Sequence, residues 1–422
     1  MMSATGNQAI GVVVDGYSAG NFFPAAFAKL DTRLVHVQGT PDLIPSMRPP
    51  DLSEYLDNII YTDEATVVER LRGYSPVCVV AGQESAVPMT DRLSECLGLA
   101  SNGSKLSPAR RNKYEMIETL RRAGVRCAQQ FKSGDPGALV AWAERGGVYP
   151  VVVKPLSSAA TDGVYICGSA EDVATAAELV LSSRDIFGHP NREALIQSYL
   201  DGVEYIIDTV SCDGHHHVSG IWRYEKLLLP SGKNIYDRDI LVDPGDPPAP
   251  ALISYIEQVL TALNIRWGAA HSEVINTADG PALVELGARA NGNIDPGFHD
   301  ACIGSNQVDQ TVLAYVRPAE FKQKFGDRVY TKLQHGVVYN APTEFDGIVE
   351  SIDEVTVEEI RRLKSVHLVN VKLAPGGRIR PTVDLLTAPL RVFLTGQSFE
   401  QVTSDYEEVR RLKDRVYRVR QS

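Results

Sequence analysis

Three short apolar runs set the character of the first hundred residues. Ile10 to Val14 closes on Asp15-Gly16, Leu34 to Val37 is the second, and Val77 to Ala81 ends at Gly82. Helical patterns separate them, and a further one covers Pro88 to Leu97. Apolar runs without polar alternation imply strands buried on both faces. Their alternation with helices implies a parallel α/β sheet. Gly16 and Gly20 do not complete a G-x-G-x-x-G pattern, so this first turn gives no support for a dinucleotide site.

Asn102 to Pro108 is polar and contains glycine and serine, which marks a boundary. A helix is expected from Asn112 to Ala123, stopped by Gly124. Strands are expected at Val151 to Val153, Gly163 to Cys167, Leu195 to Tyr199 and Glu204 to Val210. A proline-rich surface loop, Asp243 to Pro250, precedes a helix from about Ala251 to Leu263. Ala269 to Ile275 and Ala282 to Leu286 read as a hairpin, and the last hundred residues as a mixed α/β cap. The chain divides on this reading into residues 1–108, 109–200 and 201–422.

A chain of 422 residues is more than one hydrophobic core usually serves, so two or three subdomains are expected. The net charge of −11 argues against a nucleic-acid partner, which calls for clustered Lys and Arg. An acidic protein that binds a phosphorylated ligand must supply its cations locally. Cys78, Cys96, Cys127, Cys167, Cys212 and Cys302 form no C-x-x-C pair, which suggests a reducing, cytoplasmic setting rather than a disulfide frame. The start, Met1 to Gln8, has no basic segment leading into an apolar run, and no apolar stretch approaches the length of a membrane span.

The hairpin carries the sharpest chemical signal. Its turn, Asn276-Thr277-Ala278-Asp279-Gly280, is rich in turn formers. With Asp279 at the centre, Glu273 and Glu285 fall opposite each other, about 5 Å apart at the β-carbon. Like charges in apolar strands repel, and neither ionises freely. A divalent cation between them removes the conflict, and Mg²⁺ suits one or two carboxylates completed by phosphate oxygens and water. Arg289, four residues after Glu285, suits phosphate oxygens or an acyl phosphate.

Lys154 closes the apolar strand Val151 to Val153, where an ammonium is costly without an anion. The loop after it runs through Ser157, Ser158 and Gly163, and its small side chains let backbone amides close over phosphates. Lys113 stands at a helix start, where the helix dipole does not favour a cation. By itself it would read as a surface lysine; beside the other residues it reads as an α-phosphate contact. Backbone groups around Gln197, Tyr199 and Leu200 can read an adenine, and Glu204 can accept hydrogen bonds from ribose hydroxyls.

In this order the pieces resemble the ATP-grasp superfamily over roughly Asn102 to Asn306. The run from Asp91 to Val125 is similar to the entry segment of members that ligate amino acids. The segments VKLAPGGRI and VFLTGQSFEQV resemble the closing region of that branch, the L-amino-acid ligases that make dipeptides. The resemblance implies a Rossmann-like N-terminal domain, a small α+β lid and a central to C-terminal α+β domain. It also implies ATP with Mg²⁺, for which Mn²⁺ can stand in, and relatives commonly form homodimers. Lys113 and Lys154 would contact ATP phosphates, Glu204 the ribose, Glu273 and Glu285 the metal, and Arg289 the transferred phosphoryl group. Two positions depart from the pattern. Many members carry Asn two residues after the second metal Glu, where this chain has Gly287. Many have Glu at the hinge, where this chain has Gln197.

The implied reaction activates a carboxylate as an acyl phosphate, which an amine then attacks, releasing ADP and phosphate. Candidate substrate contacts are Glu84 and Ser85 at the end of the third run, His271 beside Glu273, and Asn291, Asn293 and His299 after Arg289. His271 reads equally well as a hydrogen-bonded structural residue. His215-His216-His217 follows Asp213-Gly214 and reads as an exposed hairpin tip rather than a metal site. Rival readings are a ligase for a nucleotide precursor or another carboxylate, a carboxylase, a kinase, and an ATP-binding regulatory protein without turnover. No Met-Lys-Met carrier run supports the carboxylase.

Overall fold

The computed structural model describes residues 8–40, 47–157, 163–184, 189–228, 234–385 and 387–420. The three apolar runs become β1 (Ala9–Val14), β2 (Thr32–Gln38) and β4 (Cys78–Ala81), with β3 (Asn58–Ile60) added at the edge. They form a parallel sheet in the order β3-β2-β1-β4. Around it lie α1 (Phe23–Ala28), α2 (Glu64–Arg72) and α3 (Val87–Leu97). The chain reverses direction across the sheet between β1 and β4, and ligands in open α/β sheets bind at the carboxyl ends of strands beside such a point. Asp15, Gly82, Glu84 and Ser85 stand there. A β-carbon on Gly82 would lie 2.3 Å from the Asp15 carbonyl, so only glycine lets the two strand ends meet.

α4 (Lys113–Arg122) is capped by the Asn112 side chain, which accepts from the N–H groups of Tyr114 and Glu115. Its apolar face, Met116, Ile117 and Leu120, enters the same core as the large sheet described below. A small antiparallel sheet follows in the order β5-β8-β6-β7, built from β5 (Gln130–Ser133), β6 (Val151–Pro155), β7 (Tyr165–Cys167) and β8 (Ala194–Ser198). α5 (Pro136–Gly146) and α6 (Ala170–Ser182) cover one face of it. β6 continues through Lys154 to Pro155, so Lys154 lies within the strand rather than at its end. Gly163 precedes β7 in a turn with φ of +67°, a conformation that favours glycine. Ser158 lies outside the described residues.

The largest sheet holds eight antiparallel strands in the order β13-β12-β9-β10-β11-β14-β18-β16. Its members are β9 (Gly202–Cys212), β10 (His215–Leu228), β11 (Asn234–Leu241), β12 (Trp267–Thr277), β13 (Gly280–Gly287), β14 (His335–Ala341), β16 (Val366–Val371) and β18 (Leu390–Gly396). A three-stranded sheet joins β15 (Gly347–Ile352), β17 (Arg378–Ile379) and β19 (Tyr417–Arg420). The helices are α7 (Pro248–Ala262), α8 (Pro296–Ile303), α9 (Gln307–Val316), α10 (Pro318–Lys324), α11 (Glu354–Arg361) and α12 (Phe399–Leu412). α7 begins inside the segment expected to be a proline-rich loop. Prolines are tolerated there because first-turn N–H groups have no helical partner to lose.

The mixed α/β fold, with a parallel N-terminal sheet and antiparallel sheets elsewhere, is the one expected from the sequence. None of the six cysteines is in a disulfide. Among the described residues no helix is long and apolar enough to cross a membrane.

Candidate active site

The Glu273–Glu285 hairpin reaches its expected geometry by an unexpected route. Glu273 pairs with Glu285 as the sequence implied, yet the turn is not centred on Asp279. Thr277 pairs with Gly280, leaving a two-residue turn at Ala278-Asp279. Continued unchanged, that register would set Val284 opposite Glu273 and send Glu285 to the other face. A β-bulge after the Val274–Leu283 pair inserts Val284 as an extra residue and brings Glu285 back opposite Glu273.

Three strands then share one acidic face. Ile206 of β9 pairs with Glu273, which places Glu204 and Asp208, two residues to either side, on the same face. Burial first, then Glu285 and Glu204, push the Glu273 carboxyl well above the usual range. Burial pushes Glu285 the same way, but Lys113, Lys154 and Arg289 together outweigh it and hold that carboxyl below its usual value. Lys113 Nζ lies 2.5 Å from Glu285 Oε2. Its backbone N–H donates to the Leu156 carbonyl at 3.0 Å, which ties the start of α4 to the loop after β6. Lys113 is therefore no surface lysine; only 9% of it is exposed.

Two facing carboxylates, one pushed toward neutrality and one held by an ammonium, fit a divalent cation. A cation between them can take over the role of Lys113 and relieve the repulsion. Among the described residues no group of three or more His, Cys, Asp or Glu is gathered to hold a metal. Two carboxylates are a count Mg²⁺ accepts when phosphate oxygens and water complete its shell.

Lys154, on β6 of the small sheet, is buried within electrostatic reach of Glu285, Glu273 and Glu204. Burial first, then the Lys113 charge, lower its pKa to about 8. A bound polyphosphate should reverse that shift. Between about pH 8 and the ordinary lysine value, the nucleotide-free fold holds fewer protons than either the unfolded chain or the nucleotide complex. The free fold should therefore gain stability from this group as pH rises through that window, while nucleotide affinity falls. Calorimetry of ADP binding with Mg²⁺ at about pH 9, in two buffers of different ionisation enthalpy, should show proton uptake that Lys154→Met removes. Equal heats in the two buffers would refute this role for Lys154.

Glu204 accepts from the Tyr236 hydroxyl at 3.2 Å and pairs with Lys226 at 2.5 Å. Gln197 is buried, and its Nε2 donates to Gln130 Oε1 at 2.9 Å. Tyr199 and Leu200 follow β8 as irregular backbone, with Tyr199 exposed. Ser157 is half-buried in the loop after β6.

His271 Nδ1 sits 2.8 Å from Asp208 Oδ1, and its Nε2 lies 4.0 Å from Glu273. Asn291 donates to the other Asp208 oxygen at 3.0 Å, so Asp208 orients both side chains. The Asn293 N–H donates to Asn291 Oδ1, which shapes the loop. His299 is buried against Trp222, with its Nε2 lacking a hydrogen-bond partner among the described residues. Glu84 is brought to the hairpin and pairs with Arg289 at 2.9 Å, whereas Ser85 stays with Asp15 of the N-terminal sheet. Of the histidine run only His215 is exposed; His217 is buried and bonded to the Arg328 carbonyl.

Sequence reasoning missed Asp208, Lys226, Tyr236 and Arg111. Asp208 had a readable signal, since it stands four residues after Glu204 in an apolar strand and must share its face. Lys226, Tyr236 and Arg111 had none, because their partners are set by strand pairing and domain packing.

Likenesses to known proteins identify the chain as an ATP-grasp carboxylate–amine ligase of the ADP-forming kind. Residues 147–295 match the ATP-grasp domain family. The chain is 33% identical over 396 residues to dapdiamide A synthase of Enterobacter agglomerans, with 92% of each chain covered. It belongs to the ATP-grasp ligase family that includes this enzyme. Its fold matches an L-amino acid ligase from Bacillus licheniformis with a TM-score of 0.77 at 19% identity, over 99% of this chain and 100% of that one. It also matches the biotin carboxylase domain of a Hydrogenobacter thermophilus 2-oxoglutarate carboxylase, in complex with MgADP, ADP and bicarbonate. There the TM-score is 0.68 at 13% identity, over 98% and 91% of the two chains.

Proposed function

We propose that this protein joins the carboxylate of one amino acid to the amine of another, with ATP converted to ADP and phosphate. The observation that carries the reading is the facing pair Glu273 and Glu285, with Lys113 bonded to one of them and Lys154 buried close by. In this reading Lys113, Lys154 and the loop carrying Ser157, Ser158 and Gly163 hold the phosphates. Glu204 accepts from the ribose, and the backbone around Gln197, Tyr199 and Leu200 reads the adenine. Mg²⁺ held by Glu273 and Glu285 supplies charge neutralisation at the transferred phosphoryl group, with Mn²⁺ able to replace it. Phosphoryl transfer needs positioning and electrostatics more than covalent help, and the assigned site uses no Ser or Cys nucleophile. Arg289 neutralises charge on the transferred group, and the amine attacks the resulting acyl phosphate.

An amino-acid substrate is favoured by the far end of the same sheet face. Asp239 pairs with Tyr224, two residues from Trp222, which pairs with Ile206; these side chains share the face of Glu273. Burial pushes the Asp239 carboxyl up to about 7, and its Oδ1 has no hydrogen-bond partner among the described residues. Arg391 is buried, donates to Asn340 and acts on Asp239 electrostatically. An acceptor and a cation on one sheet face suit the ammonium and carboxylate of amino acids. The name of the Bacillus licheniformis L-amino acid ligase agrees with that substrate class. In this reading His271, Asn291, Asn293 and His299 contact the amino-acid substrates, and a homodimer and a cytoplasmic location are part of the proposal.

The test is phosphate release measured over amino acids singly and in pairs. Release that requires a pair, with an amide product of matching mass, supports the ligase. A stable phosphorylated product from a single substrate would replace it with a kinase. Turnover that needs a nucleotide precursor instead would move the protein to another ATP-grasp branch.

A further inference from the structure

Gly287 stands where many ATP-grasp enzymes carry an asparagine, and its backbone does not require glycine. It is a regular strand residue paired with His271, outside the positive-φ glycines. What it lacks is space. A β-carbon there would lie 2.5 Å from Glu84 Oε2 and 3.3 to 3.4 Å from the Arg289 guanidinium. Glu84 comes from the opposite side of the cleft, at the carboxyl end of the N-terminal parallel sheet. Its carboxylate occupies the volume that a side chain at 287 would enter, and there it holds Arg289 Nε at 2.9 Å. Arg111, at the end of the segment leading into α4, approaches the other carboxylate oxygen at 3.6 Å. Arg289 Nη1 donates to the Ala290 carbonyl at 3.0 Å. Two of its three nitrogens are thus spoken for by protein, which fixes the guanidinium plane.

We propose that Glu84 is the positioning residue for Arg289, and that Gly287 is glycine so that this carboxylate can reach across the domain interface. In place of an amide on the metal strand, the chain uses an acid from the N-terminal domain. The arginine that meets the transferred phosphoryl group is then correctly aimed only when the N-terminal sheet is seated against the hairpin. The proposal rests on Arg289 acting at the phosphoryl group. Fixing a guanidinium before the reaction matters more to the transition state than to ground-state nucleotide binding.

The experiment is a double-mutant cycle on Glu84 and Gly287, read by ADP release and by thermal melting. Glu84→Ala should lower kcat by about 10- to 100-fold while KM for ATP moves by less than about three-fold. Glu84→Gln, which still accepts a hydrogen bond, should recover part of that loss. Gly287→Ala should act by pushing aside the Glu84 carboxylate, the flexible end of its side chain, and so lower kcat toward the Glu84→Ala level in the natural background. In the Glu84→Ala background it should cost clearly less, because the carboxylate it displaces is gone. The melting temperatures should show the same non-additivity, a readout that needs no turnover and does not depend on which substrates are used. Additive effects of the two substitutions would overturn the proposal. So would a Glu84→Ala variant that raises KM for the amine alone at unchanged kcat, since Glu84 would then be a substrate contact. Melting temperatures that couple as expected, with no amino-acid pair turned over, would locate the failure in the substrate reading instead.

Discussion

Glu285→Gln should cut ADP release by at least about 10²–10³-fold, the scale seen when a group that stabilises transition-state charge is removed. The fold should survive. Glu285 pairs with Lys113 in the free protein, and the amide keeps a hydrogen-bond acceptor at nearly the same place. Glu273→Gln should be as damaging to turnover, yet its effect on stability should have the opposite sign from most buried substitutions. Burial and the Glu285 charge already push Glu273 toward its neutral form, and glutamine mimics that form without the repulsion. We therefore expect Glu273→Gln to melt at the same temperature as the natural protein or higher. The two readouts are a coupled ADP assay and a thermal melt on the same preparations. Near-normal turnover in either variant would end the metal assignment. Lost turnover with a large fall in melting temperature would point to a structural role for the pair.

The second large effect lies in stability. Arg110 is completely buried and donates to three separate parts of the chain. It holds Asp91 of α3 at 2.9 Å, the Leu263 carbonyl at the end of α7 at 2.9 Å, and the Gly103 carbonyl in the connecting segment. Burial still leaves the Asp91 carboxyl raised, against the opposing pull of Arg110. Arg110→Met removes that pull and strands a buried acid, the buried Leu263 carbonyl and the half-buried Gly103 carbonyl. Breaking one partner of a buried ion pair costs about 3–5 kcal/mol. The denaturation midpoint should fall accordingly, with the N-terminal sheet losing its seat on the large sheet. Asp91→Leu added to Arg110→Met should recover part of the loss, because the uncompensated charge is then gone. A double variant less stable than Arg110→Met alone would contradict this account.

Much of the site was legible because strands have a strict period of two. Counting in that period set Glu273 opposite Glu285 only because the Val284 bulge makes up for a misplaced turn centre; it also puts Glu204 and Asp208 on one face of a single strand, a signal that went unread. The apolar runs around Val12, Val35 and Val79 likewise specify a parallel sheet without any knowledge of its partners. The proline-rich start of α7 was misread because a proline's effect depends on whether it falls in the first helical turn or later.

Other features have no local signature. The Val284 bulge corrects a register that residue counting had obtained from the wrong turn centre, and no property of Val284 announces it. Arg110 reads in sequence as one of several cations before a helix; packing makes it the anchor between α3 and α7. Glycine at 287 looks like a missing metal ligand until Glu84, two hundred residues earlier, is seen filling its place. The sequence by itself determined that the N-terminal apolar runs pair as a parallel sheet and that Lys154, Glu273 and Glu285 lie within apolar strands, since those follow from short-range periodicity and pattern. Only the tertiary structure decided the hairpin register, the clamp on Arg289 and the seating of the N-terminal sheet. Each of these depends on groups far apart in the chain, brought together when the domains pack.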